Sequence, residues 1–103
     1  MNLLEIQKFV KKIAEKFPEE EDALDMLARL TEECGEVASE IRKIEKKGSK
    51  VYFNLTTSKE KVADELVDVL NVVASIANLY ELNLDTESNR RNTHIKKILK
   101  IEN

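Results

Sequence analysis

At 103 residues the chain has room for one domain, and a domain of that length buries only a modest share of its surface, which favours association with further copies. Two Gly, one Pro and three Phe speak against a sandwich or barrel with its many turns. The abundance of Leu, Ile, Val, Ala, Glu and Lys favours helices instead. Charged residues make up 36% of the chain, yet the net charge is only −3, so the basic excess expected of a nucleic-acid binder is missing. Clear apolar periodicity argues against disorder.

The first helix is expected from about Leu3 to Lys16, with Leu3, Ile6, Phe9, Val10 and Ile13 on one face. Pro18 ends it, because a proline pushes the preceding residue out of helical geometry. The acidic run Glu19-Glu20-Glu21-Asp22 suits the positive end of the next helix dipole. The second helix is expected from about Glu21 to Lys47, with Leu27, Leu30, Cys34, Val37, Ile41 and Ile44 forming a heptad-like seam. Cys34 reads there as a small core residue, and Gly48 as the glycine cap behind the basic turn Lys46-Lys47.

Residues 48–57 form a connector whose Val51-Tyr52-Phe53 centre is too short to found a sheet. Thr57 and Glu60 have the spacing of a capping box that opens a third helix. This helix runs to about Glu81, with Asn83 as a left-handed cap. Asp85 or Thr86 caps a fourth helix with apolar positions Ile95, Ile98, Leu99 and Ile101. No repeat or linker interrupts the pattern, so a single all-α domain spanning residues 1–103 is expected. The longest apolar-rich stretch, Val62 to Leu82, carries Asp64, Glu65, Asp68, Asn71 and Asn78 and does not read as a membrane span. The N-terminal residues lack the features of a signal peptide. Cys34 is the sole cysteine, which excludes an internal disulfide and makes the cytoplasm the expected location.

Two acidic clusters stand out, Glu32-Glu33-Cys34-Gly35-Glu36 and Asp64-Glu65-Leu66-Val67-Asp68. Glu33 and Glu36 are spaced by three, as are Glu65 and Asp68, which puts each pair on neighbouring turns of one helix face. On an ideal wheel of about 100° per residue, Glu33 lies roughly 70° from the centre of its apolar seam and Glu65 roughly 80° from its own. If the two helices pack together, the pairs face each other across a shallow cleft. For Glu5, Glu15, Glu40, Glu45 and Glu60 a solvated face is a sufficient explanation. Glu65 and Asp68 differ, because Val69, Val72, Ile76 and Leu79 extend apolar surface toward them and a carboxylate beside such surface is costly. Like charges about 4 Å apart repel by roughly 4 kcal/mol at an effective dielectric near 20. The third helix is read as offering no Arg or Lys one turn away, so protons or cations must compensate the cluster. An all-carboxylate set points to Mg²⁺ or Mn²⁺ rather than zinc, and the Glu-x-x-His signature of a di-iron bundle is absent.

The pattern Glu-Glu-x-x-Glu followed by Glu-x-x-Asp resembles the signature of the MazG-like all-α nucleoside triphosphate pyrophosphohydrolases. Leu30-Thr31, Val37-Ala38, Ala63-Asp64 and Asp68-Val69-Leu70 extend the likeness, which runs from about Leu24 to Leu84. The resemblance implies a four-helix fold in a homodimer or homotetramer. It also implies a Mg²⁺ site built from Glu33, Glu36, Glu65 and Asp68, and cleavage of a nucleoside triphosphate to monophosphate and pyrophosphate. Glu32 and Glu33 are then candidates for handling the attacking water, although Glu32 points about 100° away from Glu33. Arg91 is a candidate for the triphosphate, and Asn71 and Asn78 for sugar or base. The chain departs from relatives that present a Trp near the second helix, since it has none. Tyr52 and Phe53 either stack on a base or plug the bundle end. A phosphoribosyl-ATP pyrophosphohydrolase shares this motif and is the nearest alternative. A non-catalytic, cation-binding oligomerisation or nucleotide-sensing module is the alternative of a different class.

Overall fold

The computed structural model describes residues 1–102, and among them there are helices and no strand. Five helices follow in order: α1 (Leu3–Ala14), α2 (Ala23–Ile44), α3 (Ser49–Tyr52), α4 (Lys59–Leu79) and α5 (Leu84–Leu99). The all-α reading holds, with one addition. The connector expected between the second and third helices contains the single turn α3.

The helix ends follow local hydrogen bonding more than residue type. Asn2 and Glu5 form a reciprocal capping box on α1, and Asp22 and Asp25 form another on α2. Four expected caps are displaced. At the end of α2 it is Lys46, not Gly48, that adopts the left-handed conformation (φ 55°). Lys46 N–H donates to Lys43 and Lys47 N–H to Arg42, the paired bonds of a Schellman motif. Gly48 instead precedes α3 at φ 75°. At the end of α4, Glu81 (φ 55°) takes the left-handed position, with Glu81 N–H donating to Asn78 and Leu82 N–H to Ala77. Asn83 therefore serves as the N-cap of α5 in place of Asp85 or Thr86, which lie within the first turn, and its side chain accepts from Thr86 N–H. At the start of α4, Ser58 Oγ accepts from Lys61 N–H at 3.2 Å, one residue later than the box expected at Thr57.

The chain divides into two compact units, residues 21–73 and residues 1–20 with 74–103, so that α4 contributes to both. In the second of these, Gln7 is 3% exposed on α1. Its Nε2 donates to Leu82 O at 2.7 Å and to Asn78 Oδ1 at 3.0 Å, while its Oε1 accepts from Leu84 N–H at 2.9 Å. Asn78 Nδ2 returns a bond to Gln7 O at 2.9 Å. Asp85 accepts from the Leu3 and Leu4 N–H groups at 3.2 and 3.1 Å, satisfying two of the donors that a helix start leaves unpaired. Val10, Ala74 and Ala77 are buried apolar residues of this unit.

The unit 21–73 consists of α2, α3 and the first part of α4, with Val72 only 1% exposed. Its heptad seam is half uncovered in the single chain: Leu27 is 55% exposed and Ile41 and Cys34 are also exposed, whereas Leu30, Val37 and Ile44 are half-buried. Cys34 is thus not the core residue its seam position suggested.

Candidate metal centre

Glu33 and Glu36 project from consecutive turns of α2, and Glu65 and Asp68 from consecutive turns of α4. One carboxylate oxygen from each of the four lies within 4.8 Å of all the others. Glu33 and Glu65 are half-buried, whereas Glu36 and Asp68 are exposed. Glu33 is influenced most by Glu36 and Asp68 among its acidic neighbours, and Glu65 most by Glu36. Thr57, just ahead of α4, bonds to Glu40, a turn beyond Glu36 on α2, so rising numbers on α2 meet falling numbers on α4 in an antiparallel facing arrangement.

The electrostatics are those of a site with an excess of negative charge. Burial pushes the Glu33 carboxyl above its ordinary range, and the negative charges of Glu36 and Asp68 add to the effect. Arg29, one turn earlier on α2, opposes it. The Glu65 carboxyl is pushed up to about 7, first by its hydrogen bond with Glu36, then by burial and by the charges of Glu36, Asp68 and Glu33. Oε2 of Glu33 and Oε2 of Glu65 are buried without a hydrogen-bond partner. Orphaned buried acceptors are rare and costly, and a cation satisfies them directly. Oxygens around one Mg²⁺ sit about 3 Å apart when adjacent and about 4 Å when opposite. The four carboxylates therefore fit a small divalent cation, either singly or as two pairs on adjacent ions.

The remaining sequence candidates fall elsewhere. Glu32 is exposed on α2, outside the four-oxygen cluster. Asn71 is half-buried on α4, one turn beyond Asp68. Asn78 has both ends of its amide engaged by Gln7, so its polarity serves the packing of α1 rather than a ligand. Arg91 is exposed on α5, in the unit that does not hold the carboxylates, and its neighbour Arg90 pairs with Glu87 at 2.8 Å.

Two features depart from the expectations that the sequence raises. Lys61 lies one turn before Glu65 on α4, contrary to the expectation that no cation does. Its charge acts on Glu40. Glu40 is likewise not on a solvated face. Its side chain is 13% exposed and accepts hydrogen bonds from Thr57 Oγ1 and from Lys43 Nζ, the latter at 2.9 Å. The signal in the sequence is the four-residue spacing of Glu36 and Glu40, which puts both on the face that meets α4.

The family model of the MazG nucleotide pyrophosphohydrolase domain matches residues 21–99, a span that contains all four carboxylates. The chain belongs to this family. No curated protein and no solved structure gives a match. Membership in the MazG family indicates an enzyme of the nucleotide pyrophosphohydrolase type acting on a nucleotide, with the divalent-cation dependence typical of the family. No helix among the described residues is long and apolar enough to cross a membrane.

Proposed function

We propose that the chain hydrolyses ribo- or deoxyribonucleoside triphosphates between the α and β phosphates, releasing a nucleoside monophosphate and pyrophosphate. The observation that carries this reading is the set of four carboxylate oxygens from two helices, within 4.8 Å of one another, inside the span that matches the family. Glu33, Glu36, Glu65 and Asp68 would hold Mg²⁺, with Mn²⁺ as a substitute. When bound, the metal supplies charge neutralisation for the phosphate oxygens and acidifies a coordinated water.

Phosphoanhydride hydrolysis of this kind depends on alignment and charge balance rather than on a covalent intermediate with the protein. Water oxygen bonds to the α phosphorus, the bond from that phosphorus to the bridging oxygen breaks, and pyrophosphate leaves. Glu33, and Glu32 beside it, are assigned to orient that water and take its proton. Asn71, one turn beyond Asp68, is assigned to the substrate. Asn78 is not assigned a ligand, because of its engagement with Gln7.

The working form is taken to be a homodimer or homotetramer in the cytoplasm. Exposed Leu27, Ile41, Leu66, Val67 and Leu70 on α2 and α4, and Ile98 and Leu99 on α5, support association. The family match runs through both compact units, which supports treating the chain as one functional domain. Nucleotide-pool housecleaning is the biological role that fits a small hydrolase of this kind.

The test is turnover of a panel of nucleoside triphosphates with Mg²⁺, separating products by chromatography. Monophosphate plus pyrophosphate, lost with EDTA, is the expected result. Diphosphate plus phosphate would move the cleavage point. No turnover would turn attention to phosphoribosyl-ATP or to a module that binds without cleaving.

A further inference from the structure

Glu40 lies one helical turn beyond Glu36 on α2, and Thr57 immediately precedes Ser58, the residue that caps α4. The hydrogen bond from Thr57 Oγ1 to Glu40 Oε2 therefore joins the start of α4 to α2 next to the carboxylate cluster. Lys43 Nζ donates to the other oxygen of the same carboxylate at 2.9 Å. The hydrogen bonds from Thr57 and Lys43, with the nearby charges of Lys43 and Lys61, hold the Glu40 carboxyl below its ordinary range. Both bonds accordingly run to an ionised acceptor, the stronger class of hydrogen bond.

The register of α4 against α2 matters because four carboxylates must converge. Sliding a helix by one residue moves it about 1.5 Å and turns its side chains by about 100°. Either displacement would disperse oxygens that now lie within 4.8 Å. Between α2 and α4 the chain has only residues 45–58, with α3 as its one short helix, so a tie at the end of this connector bears directly on where α4 begins.

We propose that Glu40 is a positioning residue of the metal centre: by holding Thr57 it sets the register in which Glu65 and Asp68 meet Glu33 and Glu36. The inference rests on the metal-centre reading above, not on any particular nucleotide.

The experiment measures Mn²⁺ binding to the full chain, without nucleotide, by the loss of the free-ion electron paramagnetic resonance signal. The variants are Thr57→Val, Thr57→Ser, Glu40→Ala and the double variant Glu40→Ala/Thr57→Val. Contacts made directly to metal ligands alter affinity by about 10–100-fold, and a tie that acts through helix register should fall at the low end of that range. Thr57→Val and Glu40→Ala should each weaken Mn²⁺ by about tenfold, Thr57→Ser should bind like the parent, and Thr57→Val should add nothing in the Glu40→Ala background. A Thr57→Val protein that melts lower yet binds Mn²⁺ like the parent overturns the proposal, as do losses that multiply in the double variant. If Glu40→Ala does not fold, the Thr57→Val and Thr57→Ser pair decides alone. A parent chain that binds Mn²⁺ but hydrolyses no nucleotide overturns the proposed reaction while the variant series still judges Glu40. A parent that binds no Mn²⁺ overturns both.

Discussion

Glu33 on α2 and Glu65 on α4 each keep one buried carboxylate oxygen without a hydrogen-bond partner, and both carboxyls are shifted toward their protonated forms. Neither helix creates this condition by itself, since it arises where the two acidic faces meet. The metal-free chain should therefore be stabilised by a divalent cation. At a free Mg²⁺ concentration a hundredfold above Kd, mass action contributes about 2.7 kcal/mol. For a domain of this size that corresponds to a rise in Tm of about 10 °C or more. Differential scanning calorimetry with Mg²⁺ and then with EDTA checks it, and K⁺ at matched ionic strength should not substitute.

The Glu65 carboxyl sets the direction of the pH dependence. Its pKa of about 7 lies above the ordinary value of 4.5, so between these values the folded chain binds more protons than the unfolded one. Its contribution to stability is complete below about pH 4.5 and is lost as pH rises through about 7. Metal-free protein should lose Tm from pH 6 to pH 8, and saturating Mg²⁺ should remove most of that slope. Glu65→Gln should flatten it without metal and abolish the Mg²⁺ response. A slope of the opposite sign in the parent would contradict the arrangement of the four carboxylates.

Glu36→Gln removes an exposed member of the cluster and one acceptor oxygen's charge while keeping side-chain size. Outer contacts of metal sites cost up to about a hundredfold, and a direct ligand should cost at least that much in kcat/KM. Circular dichroism should be unchanged. Activity near the parent's would remove Glu36 from the ligand set.

Gln7 supports packing rather than chemistry. Replacing it by Leu would leave Leu84 N–H, Leu82 O and the Asn78 amide short of partners. Each such group costs about 1–3 kcal/mol when buried; these three are part-buried, so a loss near the low end of their sum, about 3 kcal/mol, is expected. The measurement is the urea midpoint, with the slope of the transition unchanged.

Glu81 closes α4 in the left-handed region at φ 55°, a conformation that costs a residue with a Cβ roughly 1–2 kcal/mol. Part of that cost returns through the unfolded-state freedom of glycine. Glu81→Gly should therefore raise stability by about 0.5–1 kcal/mol. A lower urea midpoint would count against the Schellman geometry at this helix end.

Helical periodicity locates α1, α2, α4 and α5 from the residues alone, because a 3.6-residue repeat of apolar side chains is a property of the local chain. The three-residue spacings Glu33 to Glu36 and Glu65 to Asp68 put each pair on one face for the same reason. Four helix caps are displaced from the positions that residue type suggests. The paired Schellman bonds form around Lys46 and Glu81, and Ser58 takes the cap that Thr57 is spaced to supply. Thr57 instead donates to Glu40, on another helix. That contact joins residues distant in sequence, as does the convergence of four carboxylate oxygens within 4.8 Å. Which side chains share a helix face thus follows from local spacing. Which face meets which is settled by the packing of α2 against α4, since their relative register is a property of the pair and periodicity constrains each helix alone.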